Sequence, residues 1–168
     1  MYEIGQNVLY GSHGICRIMG LEAMSVGGTK AQYYVLEPFA QPGARFYVPM
    51  ANDAALSKLR PLLTQQELLD LLHSNTVLDF QWISDANQRK IRFREVIVSG
   101  DRSQLMGMIG ALYRHKKSLN EAGRKFHQSD ENFLKEAENL LNAEFALVFG
   151  LTPKEVPAFI RRELENTH

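Results

Sequence analysis

The chain has 168 residues, 45% hydrophobic and 23% charged, which suits one ordinary domain or two small ones and excludes wholesale disorder. Nineteen Lys and Arg balance nineteen Asp and Glu, yet ten of the bases and only three of the acids fall between residues 86 and 126. A basic middle therefore lies between two acidic ends, a segregation that points either to a polyanionic partner or to a solvated face covered by acidic neighbours. The single cysteine, Cys16, excludes an internal disulfide.

Residues 1–50 read as β structure. Val8-Leu9-Tyr10, Gly14–Met19, Gln32–Leu36 and Ala44–Val48 are short runs rich in β-branched and aromatic residues. Gly5, Gly11, Gly14, Gly20, Gly27-Gly28 and Pro42-Gly43 punctuate them as expected turns. So few short strands predict a small, strongly bent barrel or half-barrel.

From residue 51 the pattern turns helical, and no further strand is expected. Asn52 is placed to cap a short turn, and Thr64-Gln65-Gln66-Glu67 is a capping box before a leucine-rich helix to His73. Asp85 can cap a helix to about Val98, where Ser99-Gly100-Asp101 stops it and caps the next, at about 102–118. Leu105, Met108, Ile109 and Leu112 share one side of that helix. Ser129 or Asp130 is the expected start of the longest helix, whose apolar stripe from Phe133 to Phe149 ends at Gly150. Thr152-Pro153 opens a last short helix. The expected architecture is segregated α+β: a β domain over 1–60 and an all-α domain over 61–168.

Catalysis has little support. His13, His73, His115, His127 and His168 are dispersed without metal-ligand spacing, and no phosphate-cradling glycine motif or nucleophile elbow is present. Neither an enzyme, a metal nor a cofactor is expected. Met1-Tyr2-Glu3-Ile4-Gly5 lacks the basic start and apolar run of a signal peptide, and no run reaches the length of a membrane span. A cytoplasmic monomer without a membrane partner is the expectation.

A binding surface is better supported. Arg114, Lys116 and Lys117 sit near a helix C-terminus, where cations are favourable in any case, but Arg124 and Lys125 extend the basic surface beyond it. In the preceding helix Lys90, Arg92 and Arg94 project away from the apolar face and are candidates for phosphate contact. Arg89 shares the side of Phe93, Val96 and Ile97, so an ion-paired packing role and a DNA-contacting role are equally open. Trp82, the lone tryptophan, is either a plug beneath an interhelical loop or an apolar wedge at a distorted minor groove.

The ordered combination of Ile4-Gly5, Val8, Tyr10, His13-Gly14, Ile18, Tyr33-Tyr34, Leu36, Val48-Pro49, Asn52 and Arg60 resembles the N-terminal signature of the CarD/CdnL bacterial transcription regulators. It is also similar to the RNA-polymerase-interacting domain of the transcription–repair coupling factor. Trp82, Arg89, Ser99-Gly100-Asp101, Leu112-Tyr113, Lys125 and the Leu134–Glu144 run resemble the family's helical domain. The resemblance implies a Tudor-like barrel that grips the polymerase β subunit through a strand edge. It further implies a helical domain at the upstream edge of the transcription bubble, where the family's tryptophan stabilises opened promoter DNA with little reading of sequence. In the best-known members that tryptophan falls at the position of Ala86, about one helical turn beyond Trp82. Polymerase-contacting arginines of some members fall on Met24 and Tyr47, with Arg45 nearby. The competing expectation is an adaptor that docks on polymerase or another factor and never touches DNA.

Overall fold

Strands pair in the order β4-β3-β2-β1-β5 to build one antiparallel sheet, from β1 (Asn7–Tyr10), β2 (Ile15–Val26), β3 (Thr29–Pro38), β4 (Phe46–Pro49) and β5 (Leu59–Pro61). The computed structural model describes residues 1–74 and 80–166, and the chain divides into two compact units, Met1–Leu62 and Leu63–His168. His168 lies outside the described residues.

In the first unit, Ile18, Tyr34, Leu36 and Val48 alternate onto a buried face and pack with Val8, Cys16 and Leu59. β2 and β3 form a long hairpin closed by Gly27-Gly28, whose φ angles of 61° and 82° match a turn with two left-handed residues. Two expectations are corrected here. Gly20 does not end a strand: it lies at a register shift between Ile18 and Gly20, and β2 runs on to Val26, as an irregularity inside a strand rather than a turn. Strands also do not stop at residue 50. After α1 (Asp53–Leu56), capped by the Asn52 side chain, β5 returns to pair with β1. Its three residues include Pro61, a tolerable residue at an edge but a poor strand signal.

The second unit is helical. It contains α2 (Gln65–Leu72), α3 (Ala86–Ser99), α4 (Arg102–Glu121), α5 (Gln128–Phe149) and, after a 3₁₀ turn at Pro153–Glu155, α6 (Val156–Glu165). Local chemistry fixes most ends. Thr64 and Glu67 form the reciprocal capping box of α2; Asp85 accepts from Gln88 N–H at the start of α3; Gly100 stops α3 in the left-handed conformation; Asp101 caps α4; Gly150 stops α5. Phe93, Ile97, Met108, Leu112, Leu134, Phe145 and Val156 fill the core between these helices. The architecture is thus segregated α+β.

Two helix ends differ from expectation. α4 extends to Glu121 rather than residue 118. α5 begins at Gln128 with His127 at its N-cap and no side-chain cap bond; Asp130 sits inside the first turn, its carboxylate engaged elsewhere. Among the described residues, no helix is long and apolar enough to cross a membrane.

Candidate nucleic-acid interface

The segment leading into α3 carries Trp82, and Arg89, one turn inside that helix, reaches back to it. Arg89 Nη1 donates to the carbonyls of Ile83 at 3.0 Å and Ser84 at 3.2 Å. Its Nε and Nη2 donate to the two Asp130 oxygens at 3.0 and 2.9 Å. Arg89 is 5% exposed and Asp130 1%. A guanidinium at that depth needs its donors filled and a carboxylate in fork geometry, and Asp130 supplies that from α5. Of the two roles open to Arg89, the geometry matches the ion-paired packing one, whereas the reading of Asp130 as a helix start is corrected: it is the counter-ion of Arg89, inside the first turn of α5.

Trp82 is half-buried and packs at the margin of the helical core. The Phe93 ring meets it edge-on at 6.1 Å, the Arg89 guanidinium lies 4.7 Å from its centroid, and the His115 imidazole stacks on it at 3.9 Å with planes 19° apart. Burial pushes the His115 pKa below the ordinary histidine value; Arg89 and His127 add to this, and Asp130 opposes it. A neutral imidazole lying flat on indole is therefore the favoured state at neutral pH.

The remaining cations separate into two populations. Arg94 forms a two-pronged pair with Glu136 at 2.9 and 3.2 Å and lies over Phe133. Arg92 donates to Gln104 at 2.8 Å, stands 3.7 Å from Glu95 and lies over Phe80. Lys116 pairs with Glu131 at 3.1 Å beside Phe126. Lys90, Arg114, Lys117, Arg124 and Lys125 are exposed. No ion pair to another described residue forms at any of these five.

Arg114 and Lys117 share a stripe of α4 at three-residue spacing. Gly123, at φ 69°, turns the chain so that Arg124 N–H reaches Leu119 O at 2.8 Å, which sets Arg124 and Lys125 just past the helix end. Since α4 runs on to Glu121, Arg114 lies two turns inside it, beyond the reach of a terminal dipole.

On the sheet, Met24 pairs with Ala31 and Tyr47 with Val35. Alternation along β3 puts Ala31, Tyr33 and Val35 on one face, so Met24 and Tyr47 share that face, opposite the core residues Tyr34 and Leu36. Tyr47 is 42% exposed on β4, an edge strand of the ladder. Arg45 precedes β4 and donates to Glu37 Oε2 at 2.6 Å; Gly43 N–H donates to the same oxygen at 3.2 Å. These bonds, Arg45 first, hold the Glu37 carboxyl below the usual carboxylate range. Arg45 therefore arrives at the edge already paired. Sequence reasoning missed Tyr33 as a member of this face and His115 as the partner of Trp82; strand alternation offered the first, whereas nothing local offered the second.

Residues 2–60 match the family model of the CarD-like/TRCF RID domain. That stretch is similar to a CarD-like domain. The chain is also similar to the Bacillus subtilis protein named "Putative transcription factor YdeB", 24% identical over 165 residues that span 95% of this chain and 99% of that protein. The matched residues fall in the sheet unit, and the similarity to the Bacillus protein continues through the helices. Within the sheet unit the Cys16 thiol is buried and pushed up by burial to about 11, far from the thiolate that reactivity needs. Among the described residues no three His, Cys, Asp or Glu side chains converge as a metal site would require.

Proposed function

We propose that this chain is a cytoplasmic, non-enzymatic transcription regulator that docks on the RNA polymerase β subunit and lays its helical unit on promoter DNA to stabilise the open complex. The match of residues 2–60 to the CarD-like/TRCF RID domain carries the docking half. The edge strand β4 supports it, since backbone groups on a sheet edge accept an added strand without requiring arginine. Tyr47 offers apolar contact on that edge, Met24 lies on the same face of the sheet two strands in, and Arg45 with Glu37 supplies a polar rim.

The DNA half is supported by the five cations that have no acidic partner among the described residues. Lys90, Arg114, Lys117, Arg124 and Lys125 hold phosphates by counterion release, which reads little sequence. Trp82 acts as the wedge at the fork. Docking supplies the local concentration, so the DNA contact can be weak; about 1.4 kcal/mol of added stabilisation suffices for a tenfold shift toward the open complex.

The test is twofold. The full chain is captured on polymerase β-subunit fragments, with Tyr47→Asp expected to abolish retention; no retention of the unaltered chain by any fragment would sink the docking half. Open-complex lifetime is then measured across salt, and replacing Arg114 and Lys117 by glutamine is expected to flatten the log–log slope by about 0.9 per lost phosphate contact. An unchanged slope favours the second reading, an adaptor that never touches DNA. The internal engagement of Arg89, Arg92, Arg94 and Lys116 is the observation that favours that reading.

A further inference from the structure

Trp82 is held by two different devices. Arg89, itself locked to Asp130, bonds the Ile83 and Ser84 carbonyls and so fixes the backbone that follows the tryptophan. Its guanidinium also lies over the indole, 4.7 Å from the centroid. The closest ring is His115, stacked near-parallel at 3.9 Å and 19°, which leaves the indole no room to rotate on that face, while the Phe93 edge limits its tilt. We propose that His115 is the positioning residue of the DNA-contacting site, setting the plane in which Trp82 meets an opened base step. The proposal rests on the reading of Trp82 as a wedge.

The physical argument is preorganisation. A large ring ordered before binding loses less side-chain freedom when it docks. A flat neighbour is needed for this, because a branched aliphatic side chain would give no parallel surface. His115 lies among Trp82 from the segment before α3, Arg89 from α3, Phe126 ahead of α5, and His127 and Asp130 at the α5 start. Burial keeps its imidazole neutral at physiological pH, so ring stacking rather than charge does the positioning.

The chain has one tryptophan, so its intrinsic fluorescence reports this site alone. The experiment compares His115→Ala, His115→Phe and Trp82→Ala in the full chain. Its readouts are acrylamide quenching of the free protein, melting temperature, and the lifetime of open complexes formed with RNA polymerase on a promoter fragment. His115→Ala is expected to raise quenching of Trp82 and shorten the lifetime about fivefold, the scale of re-ordering one side chain. His115→Phe, which keeps a flat ring, is expected to restore both.

If Trp82→Ala shortens the lifetime but His115→Ala does not, or if phenylalanine fails to restore it, His115 is not the positioning residue and the wedge reading survives. If Trp82→Ala leaves the lifetime unchanged, the wedge reading itself falls and takes this proposal with it. A His115→Ala protein whose lifetime loss tracks only a fall in melting temperature, with quenching unchanged, also overturns the proposal.

Discussion

The sheet unit and the helical unit handle charge in opposite ways. In the sheet unit the described core is apolar, apart from a tyrosine and a cysteine, and the ion pair between Arg45 and Glu37 stays at the surface. The helical unit draws two full ion pairs inside: Arg89 with Asp130, and Arg102 with Glu144 at 2.9 Å, Glu144 also accepting Leu63 N–H at 3.0 Å. A sheet's register is fixed by its alternating side-chain pattern and its turns, because a one-residue slip flips every side chain to the other face. Amphipathic helices can slide or rotate with little loss of burial, so directional pairs between α5 and its neighbours add a constraint that leucine and phenylalanine do not.

Removing a carboxylate from the helical core is the sharpest way to break this contrast. Glu144→Ala takes from buried Arg102 the carboxylate it pairs with and from Leu63 N–H its acceptor, and is expected to cost about 3–5 kcal/mol, read as an early thermal loss of helical circular dichroism. Asp130→Ala belongs to the same class. The paired replacement Arg89→Met with Asp130→Leu is expected to come close to neutral in stability, because no charge is then left uncompensated. A double variant as unstable as Asp130→Ala alone would show that burial volume, not charge pairing, matters there.

Next in size is Gly100→Ala. Gly100 sits at φ 72° at the end of α3, and a side chain there costs about 1–2 kcal/mol, visible as a lowered melting temperature. A smaller effect concerns pH. Because the folded His115 resists protonation more than the unfolded chain does, its contribution is complete above the ordinary histidine range near ~6.5. Stability then declines as pH falls through that value, and His115→Phe removes that part of the slope. Smallest of all, Arg114→Gln and Lys117→Gln are expected to change stability by less than about 0.5 kcal/mol. A larger loss would mean these exposed cations do serve the fold.

Local chemistry made much of the fold legible. Thr64, Asp85, Ser99-Gly100-Asp101 and Gly150 mark helix boundaries through bonds and dihedrals confined to a few residues, and the structure has those ends. Leu59-Arg60-Pro61 escaped because three residues show no alternation and the proline argued against a strand; only pairing with β1 makes them β5. Gly20 was misread because a glycine in a strand and a glycine in a turn look alike until register is known. The interface was less legible for a related reason. Whether a cation is free depends on an acid forty or so positions away, as Arg89 depends on Asp130 and Arg94 on Glu136. Helical spacing showed which bases leave the apolar face, but not which of them meet a carboxylate from the next helix.

The location of the two buried carboxylates bears on the order in which the molecule matures during synthesis. Every strand of the sheet has emerged once Pro61 is out, so the first unit can close early. Arg89 and Arg102 must wait for Asp130 and Glu144, and until α5 leaves the ribosome neither of these two ion pairs can form. A nascent chain stalled before residue 130 would carry a finished head and an open helical half.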